Sequence, residues 1–418
     1  MKYRFLTRIV IATLLAVNLM GCATKESAES QPVVQEATAQ PEQEQASIQE
    51  PEQVQEEIKN TALKELCSKY FTLGVGINGS TLENQTLNIP QYMELSKKHF
   101  NSCTMTNLMK SCYILNQEKS KENLLNGDPS PALSFDSIDP TLQWCMENDM
   151  KMRGHTLVWH TQAPEWFFKE GYLEDGEYVD KETMLFRMES YIKQLLTHVQ
   201  ENYPGVIYCW DVVNEAVDPD SPAPGSDFLC RTKLGDAPNP WYETIGEDYV
   251  EMAFTYARKY ADEDVKLFYN DYNTFQTQKM NAIYTLCSSL KEKGLIDGIG
   301  MQGYWGITYP DITSIETAIK KYAGLDLEIH ITELSIGVDE ENEEQFEKQA
   351  KQYGRVFVML RNLDTAYGGP ANITNVTLFG LVDHYREGDT TNSRIFDKNY
   401  EPKPAFTKIE EIMLKCYQ

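Results

Sequence analysis

Basic residues are scarce in this chain. Lys and Arg number 38 against 63 Asp and Glu over 418 residues, leaving a net charge of −25. Binding a phosphate backbone needs a surplus of cations, so no nucleic-acid partner is expected. Histidine is rarer still, at six. No H-E-x-x-H and no C-x-x-C spacing occurs, so neither a metal centre nor a cofactor is expected. Beyond the first twenty-odd positions no apolar run approaches the ~20 residues of a membrane span. Hydrophobic residues nonetheless make up 41% of the chain and aromatics 11%, enough for a sizeable core, so a wholly disordered chain is excluded.

The N-terminus reads as an address. Lys2, Arg4 and Arg8 precede a short apolar run over 9–19, and Leu19-Met20-Gly21-Cys22 follows. This resembles a bacterial lipobox and implies a signal peptide over 1–21, lipidation at Cys22 and an extracytoplasmic chain held to the cell membrane by its lipid. Residues 22–59 are rich in Gln, Glu, Ala, Ser and Pro and nearly free of aromatics. Such a stretch buries too little apolar surface to offset its ordering entropy and is expected to be an acidic, disordered tether. A short helix over 56–69 is expected to begin the folded part, one domain over 60–418. The eight other cysteines are scattered along the chain and are expected to be mostly free thiols.

From Tyr70 onward, short apolar runs alternate with helical patterns. Strands are expected at 71–77, 103–105, 152–159, 206–213, 266–270, 298–302, 327–332 and 376–381. Helices are expected at 138–148, 181–202, 314–323, 343–363 and 409–416, with 116–140 irregular. Eight such units predict an α/β fold, a single (β/α)8 TIM barrel; an open doubly wound sheet is the alternative. In a barrel, chemistry gathers where strands end. Asn107 and Lys110 fall after the second strand, and Trp159, His160 and Gln162 at the third. Asn214 and Glu215 follow the fourth, Asn270, Asp271 and Tyr272 the fifth, Gln302 the sixth and Glu333 the seventh. Two carboxylates facing one cleft suit glycoside cleavage: one protonates the leaving oxygen while the other attacks the anomeric carbon. A retaining pair would stand ~5–5.5 Å apart. Two independent, salt-bridged glutamates are the plainer alternative.

The motifs carry a resemblance. Gly154-His155-Thr156-Leu157-Val158-Trp159-His160 with Gln162, Pro164 and Trp166, Trp210-Asp211-Val212-Val213-Asn214-Glu215, Asn270-Asp271-Tyr272-Asn273, Ile331-Thr332-Glu333-Leu334 and the late Tyr400-Glu401-Pro402-Lys403-Pro404-Ala405-Phe406 resemble glycoside hydrolase family 10, the endo-β-1,4-xylanases. The resemblance covers the chain from about Phe71 to its end. It implies Glu215 as acid/base, Glu333 as nucleophile and internal cleavage of β-1,4-xylan with retention. Asn214 would bond the 2-hydroxyl of the sugar beside the scissile bond, with His155, Trp159 and Gln302 lining the same subsite. Asn107 and Lys110 would hold the next sugar outward, and Tyr272 would pack near the catalytic pair. A monomer is expected. By itself, His160 reads equally as a buried structural group or a ligand contact, and Trp166 as loop packing.

The chain departs from the family pattern at several positions. Tyr304 stands where the family has His, and Ser335 where it has Asp; Tyr304 keeps a hydroxyl able to donate to Glu333. Thr106 replaces a sugar-contacting Glu and Phe379 a Trp. A second expected Trp aligns near Arg386-Glu387-Gly388. Three readings stay open: a xylanase with altered subsites, a glycosidase for another decorated β-glycan, and a non-catalytic, membrane-tethered glycan-binding lipoprotein.

Overall fold

The computed structural model describes residues 61–386 and 388–415. The expected signal peptide, the lipidation at Cys22 and the tether over 22–59 lie outside the described residues. Eight parallel strands close into a barrel: β1 (Thr72–Ile77), β2 (Ser102–Met105), β3 (Lys151–Trp159), β4 (Ile207–Asn214), β5 (Lys266–Asp271), β6 (Gly298–Met301), β7 (Glu328–Gly337) and β8 (Asn372–Leu378). Each pairs with its sequence neighbour, β8 pairs with β1, and β6 closes onto β7 through Ile299↔Ile329 and Met301↔Ile331. Helices follow the strands in turn: α1 (Pro90–His99), α2 (Asp139–Glu147), α3 (Lys181–Asn202), α4 (Tyr249–Tyr260), α5 (Thr277–Glu292), α6 (Ile312–Ala323), α7 (Glu343–Leu363) and α8 (Pro404–Leu414). No described helix is long and apolar enough to cross a membrane.

The local reasons are simple. β1 and β2 are buried along nearly their whole length, as strands covered on both faces must be. In α3 the buried Met184, Met188, Tyr191, Ile192, Leu195 and Val199 recur at three- and four-residue steps, and the Asp180 side chain caps the N–H of Thr183. Asn342 caps α7 in the same way. Gly154 is a packing necessity, because a Cβ there would strike the ring of Trp210 on the neighbouring strand.

Several expectations need correction. Residues 117–125 form a helix rather than an irregular segment, started by the Asn116 side chain accepting from the N–H of Lys119. Its apolar face is weak and Lys119–Glu122 and Lys121–Glu118 pairs line it, so hydrophobic periodicity gives little sign of it. The seventh strand runs five residues further than expected, with Leu334 and Ile336 of the extension buried. A short strand, Tyr304–Gly306, pairs with that extension in register Tyr304↔Ser335. The eighth strand ends at Leu378, so Phe379 and Gly380 belong to the loop above it. The helix expected over 56–69 is described only at Leu63–Cys67. Gly74, Gly76 and Gly79 have G-x-G-x-x-G spacing, but two of them lie inside β1. The chain then passes through a loop and the turn Thr86–Asn88 before α1 starts. A dinucleotide-binding turn opens directly into its helix, and the closed barrel excludes the open-sheet alternative.

The barrel interior carries charge. Arg153 is bidentate to Asp211, with Nη1–Oδ2 at 2.8 Å, and its Nε donates to His330 Nδ1 at 3.1 Å. All three side chains are essentially sealed from solvent. Burial alone would raise the Asp211 carboxyl, but the Arg153 charge and the bonds from His155 and Arg153 carry it below its ordinary value. Of the described cysteines, Cys103, Cys112, Cys145, Cys209, Cys230 and Cys287 are free thiols.

Candidate active site

Glu215 stands one residue past β4. Its φ of 58° is in the left-handed region, uncommon for a non-glycine residue. Its N–H donates to the Asn270 carbonyl (2.9 Å), and Arg231 Nε donates to its carbonyl (2.8 Å), so the turn is tied from both sides. Glu333 lies within β7, its N–H bonded to the carbonyl of Gln302. The strand ends of β4, β5, β6 and β7 thus fix both backbones before any side chain is considered.

All four carboxyl oxygens have a donor. Gln302 Nε2 reaches Glu215 Oε1 at 2.7 Å, and Trp159 Nε1 reaches Oε2 at 3.0 Å. Asn270 Nδ2 reaches Glu333 Oε1 at 2.9 Å, and the Tyr304 hydroxyl reaches Oε2 at 2.6 Å. Asn270 spends its other amide hydrogen on Asn214 Oδ1 (2.9 Å) and accepts from the Thr332 hydroxyl (2.7 Å). A chain of side chains therefore runs Glu215–Gln302–Asn214–Asn270–Glu333 across the barrel mouth, the last amide contact of Gln302 to Asn214 being 3.5 Å.

The Glu215 carboxyl is held above its ordinary value. Burial is the main cause, followed by the charge of Asp271; the nearby Glu333 adds to it, while the bonds from Gln302 and Trp159 pull the other way. Asp271 is fully buried and paired with Lys279 at 2.7 Å. The Tyr304 ring is half exposed to the cleft, but its hydroxyl lies against Glu333. Burial and that carboxylate hold the phenol far above its usual range, so it stays a donor. A carboxylate only accepts, and Glu333 meets two donors.

The other expected site residues fall around this centre. His155 is buried, with Nδ1 against Asp211 Oδ2 at 2.9 Å. Its peptide bond to Thr156 is cis. Trp159 is fixed by its carbonyl, which accepts from Trp241 Nε1 (2.9 Å), and the Lys110 ammonium sits 4.5 Å from its ring centre. Lys110 also donates to Gln162 Oε1 (2.8 Å) and Asn107 Oδ1 (3.3 Å). Asn107 and Lys110 line a cavity of about 460 Å3 that Tyr304 also faces. Tyr272 meets Glu215 at one remove: its hydroxyl accepts from Arg231 Nη2 (2.9 Å), and Arg231 holds the Glu215 carbonyl. His160 is packed edge-on to Trp159, and burial with the charges of Arg231 and Lys279 pushes it down to about 3. Trp166 is buried between Phe167 and Tyr172, as packing. Among the described residues no group of three or more His, Cys, Asp or Glu is arranged to hold a metal ion.

For two residues that order this site, the sequence does not give the role. Asn270 was visible as a strand-end polar residue, but its bridging of Glu333 and Asn214 depends on pairings across β5, β6 and β7. Arg231 lies in the long loop after β4, with no spacing that ties it to Glu215.

The family model described as Glycosyl hydrolase family 10 matches residues 62–412. A protein of Caldicellulosiruptor saccharolyticus is 48% identical over 309 residues, covering 71% of this chain and 95% of its own length. Endo-1,4-beta-xylanase B of Butyrivibrio fibrisolvens is 40% identical over 82% of this chain, which spans 52% of that relative. Among solved structures, the N-terminal carbohydrate-binding and catalytic modules of a Clostridium thermocellum endo-1,4-beta-D-xylanase complexed with xylohexaose match with a TM-score of 0.75 and 33% identity. That match covers 84% of this chain and 67% of that one.

Proposed function

The chain belongs to glycosyl hydrolase family 10, and from that premise we propose that it is a retaining endo-1,4-β-xylanase. The observation that carries the reading is the contrast between two carboxyl groups at one barrel mouth. Glu215 is pushed toward its protonated form, and Glu333 has both oxygens aimed by donors. One suits an acid and the other a nucleophile.

The steps follow from that contrast. A xylan chain lies along the cleft with its anomeric carbon over Glu333. Glu333 attacks that carbon as Glu215 gives its proton to the departing glycosidic oxygen, and a glycosyl ester forms on Glu333. Glu215, now a carboxylate, takes a proton from water, which attacks the same carbon and releases a sugar of unchanged configuration. Asn214 stands between the two carboxyls and is held by Asn270, in place to bond the 2-hydroxyl of the reacting sugar. The test is reducing-sugar release from arabinoxylan and glucuronoxylan by the chain and its Glu333→Ala form, with product configuration followed by NMR. Release that vanishes in the variant and β-configured first products support the reading; release that survives in Glu333→Ala refutes it.

The location and domain plan are part of the proposal. The basic residues before 9–19, the sequence Leu19-Met20-Gly21-Cys22 and the acidic composition of 22–59 support a lipid-anchored, extracytoplasmic enzyme on a tether, acting as a monomer. Radiolabelled palmitate incorporated by the chain and not by Cys22→Ala is the expected result.

A further inference from the structure

The cleft continues beyond Tyr304 into the cavity of about 460 Å3, whose wall includes Asn78, Ser80, Lys110, Tyr304, Arg386 and Arg394. Three of these are cations in a chain of net charge −25. They differ in what already holds them. Arg394 is buried and paired with Asp389 at 2.9 Å, with a second bond to the Val382 carbonyl. Lys110 is buried among the amides of Asn107 and Gln162; burial carries its ammonium below the ordinary value, and the nearby charges of Glu333 and Glu215 only partly offset that. Arg386 is different. It is exposed, and its described hydrogen bond is one, from Nη1 to the Asn84 carbonyl at 3.0 Å. No described carboxylate lies within ion-pair distance of it. A guanidinium presents five N–H donors in a planar fork that matches a carboxylate with two parallel bonds.

The surroundings suit a sugar that bears such a group. Tyr385 and Phe379 offer ring faces in the same cavity, and Asn78, Ser80, Thr391 and Ser393 offer hydroxyl and amide partners. The net field of the chain opposes approach of a polyanion, so a local cation in the cleft is where an acidic branch is accepted. We propose that this end of the cleft is a subsite for xylan whose backbone carries uronic-acid branches, with Arg386 as the partner of the branch carboxylate. The proposal deepens the xylanase reading and rests on it.

The test uses the full chain and its Arg386→Ala and Arg386→Lys forms on glucuronoxylan and on the same polymer after chemical reduction of its carboxyl groups. The readout is the ratio of kcat/KM for native over reduced polymer. A ratio of about five to ten in the wild type is expected, in line with a charge-assisted bond at a partly exposed group. It falls to near one in Arg386→Ala and stays intermediate in Arg386→Lys, which keeps the charge but not the fork. A wild-type ratio of one, or a ratio unmoved by Arg386→Ala, overturns the proposal. Binding is read separately, by calorimetry with a uronosyl-branched xylo-oligosaccharide on the Glu333→Ala form with and without Arg386→Ala. An affinity loss of about five- to tenfold supports the carboxylate contact, and equal affinity overturns it. Absence of release from both polymers overturns the xylanase reading alone, because the binding arm still decides the contact.

Discussion

Replacing Asn270 by alanine removes the one amide that aims Glu333, the proposed nucleophile, and holds Asn214 at the same time. The residue is fully buried, and its Nδ2 lies 2.9 Å from both Glu333 Oε1 and Asn214 Oδ1. A hydrogen bond to a charged group contributes about 1.5–3 kcal/mol, which corresponds to roughly 10- to 100-fold in rate. After the substitution Glu333 is held at Oε2 by Tyr304, and the carboxylate is free to turn about that bond. The loss should therefore fall mainly on kcat, since Asn107 and Lys110, which the resemblance implies hold the next sugar outward, are untouched. Stability should drop as well, by about 1–3 kcal/mol, because Asn214 Oδ1 and the Thr332 hydroxyl lose a buried partner. The assay is kcat and KM on xylohexaose beside urea unfolding of the same preparation. The isosteric Asn270→Asp separates shape from chemistry. It keeps the volume but sets an acceptor against two acceptors, so it should fall below Asn270→Ala. Activity of Asn270→Ala within threefold of wild type, in a folded protein, would refute the positioning argument, as would an aspartate variant that outperforms the alanine one.

Other expectations follow from the same geometry. Glu215→Gln should lower turnover on xylan by about 10²- to 10⁴-fold, with a smaller loss for the glycosylation step of a substrate whose leaving group needs no proton, read by pre-steady-state release of dinitrophenol. Asp271→Asn removes a charge that raises the Glu215 carboxyl and leaves Lys279 unneutralised, and both changes lower it. The acid must be protonated to act, so the alkaline limb of kcat/KM should move to lower pH, and an upward or absent shift in the pH profile counts against the assignment. Arg153→Met leaves the buried Asp211 without its cation and with His155 as its remaining side-chain partner, and loss of one partner from a buried pair costs about 3–5 kcal/mol, measurable as a lower urea midpoint.

Much of the architecture was readable because both faces of the barrel strands are covered, and covered strands appear as short apolar runs between helical periods. α3 and α7 match their expected limits of 181–202 and 343–363, since long amphipathic repeats with capping residues leave little ambiguity. Expectation failed where local pattern is weak or where pairing decides. The helix Gln117–Leu125 is held by charge pairs and a cap rather than an apolar face. The last residues of β7 are strand because Tyr304–Gly306 pairs with them, a contact that no local window reveals. At the site, the roles of Glu215 and Glu333 were suggested by motif. The work of Asn270 and Arg231 was not, because each acts on a residue more than a dozen positions away in sequence.

The paired departures at 304 and 335 have a structural logic that leads to a last prediction. Tyr304 and Ser335 are register partners between the short strand Tyr304–Gly306 and the end of β7, so a change in one is felt directly by the other. A histidine at 304 needs an acceptor to fix its tautomer, and serine offers a carboxylate's geometry poorly. A tyrosine needs none: its one hydroxyl hydrogen goes to Glu333, and burial with the Glu333 charge keeps that proton in place across the working pH range. Where the family resemblance implies a titratable imidazole, this chain offers Glu333 a donor that keeps its proton. Tyr304→His alone should then be a poor enzyme, with an imidazole that lacks its orienting carboxylate and gains a charge as pH falls through about 6 to 7. Adding Ser335→Asp should recover activity in the double variant. The coupling between the two substitutions, from kcat/KM of the wild type, both single variants and the double, should be about 1–3 kcal/mol, as for residues that share one hydrogen-bond network. Additive effects at 304 and 335 would refute the coupling and mean that Tyr304 holds Glu333 without any dependence on its strand partner.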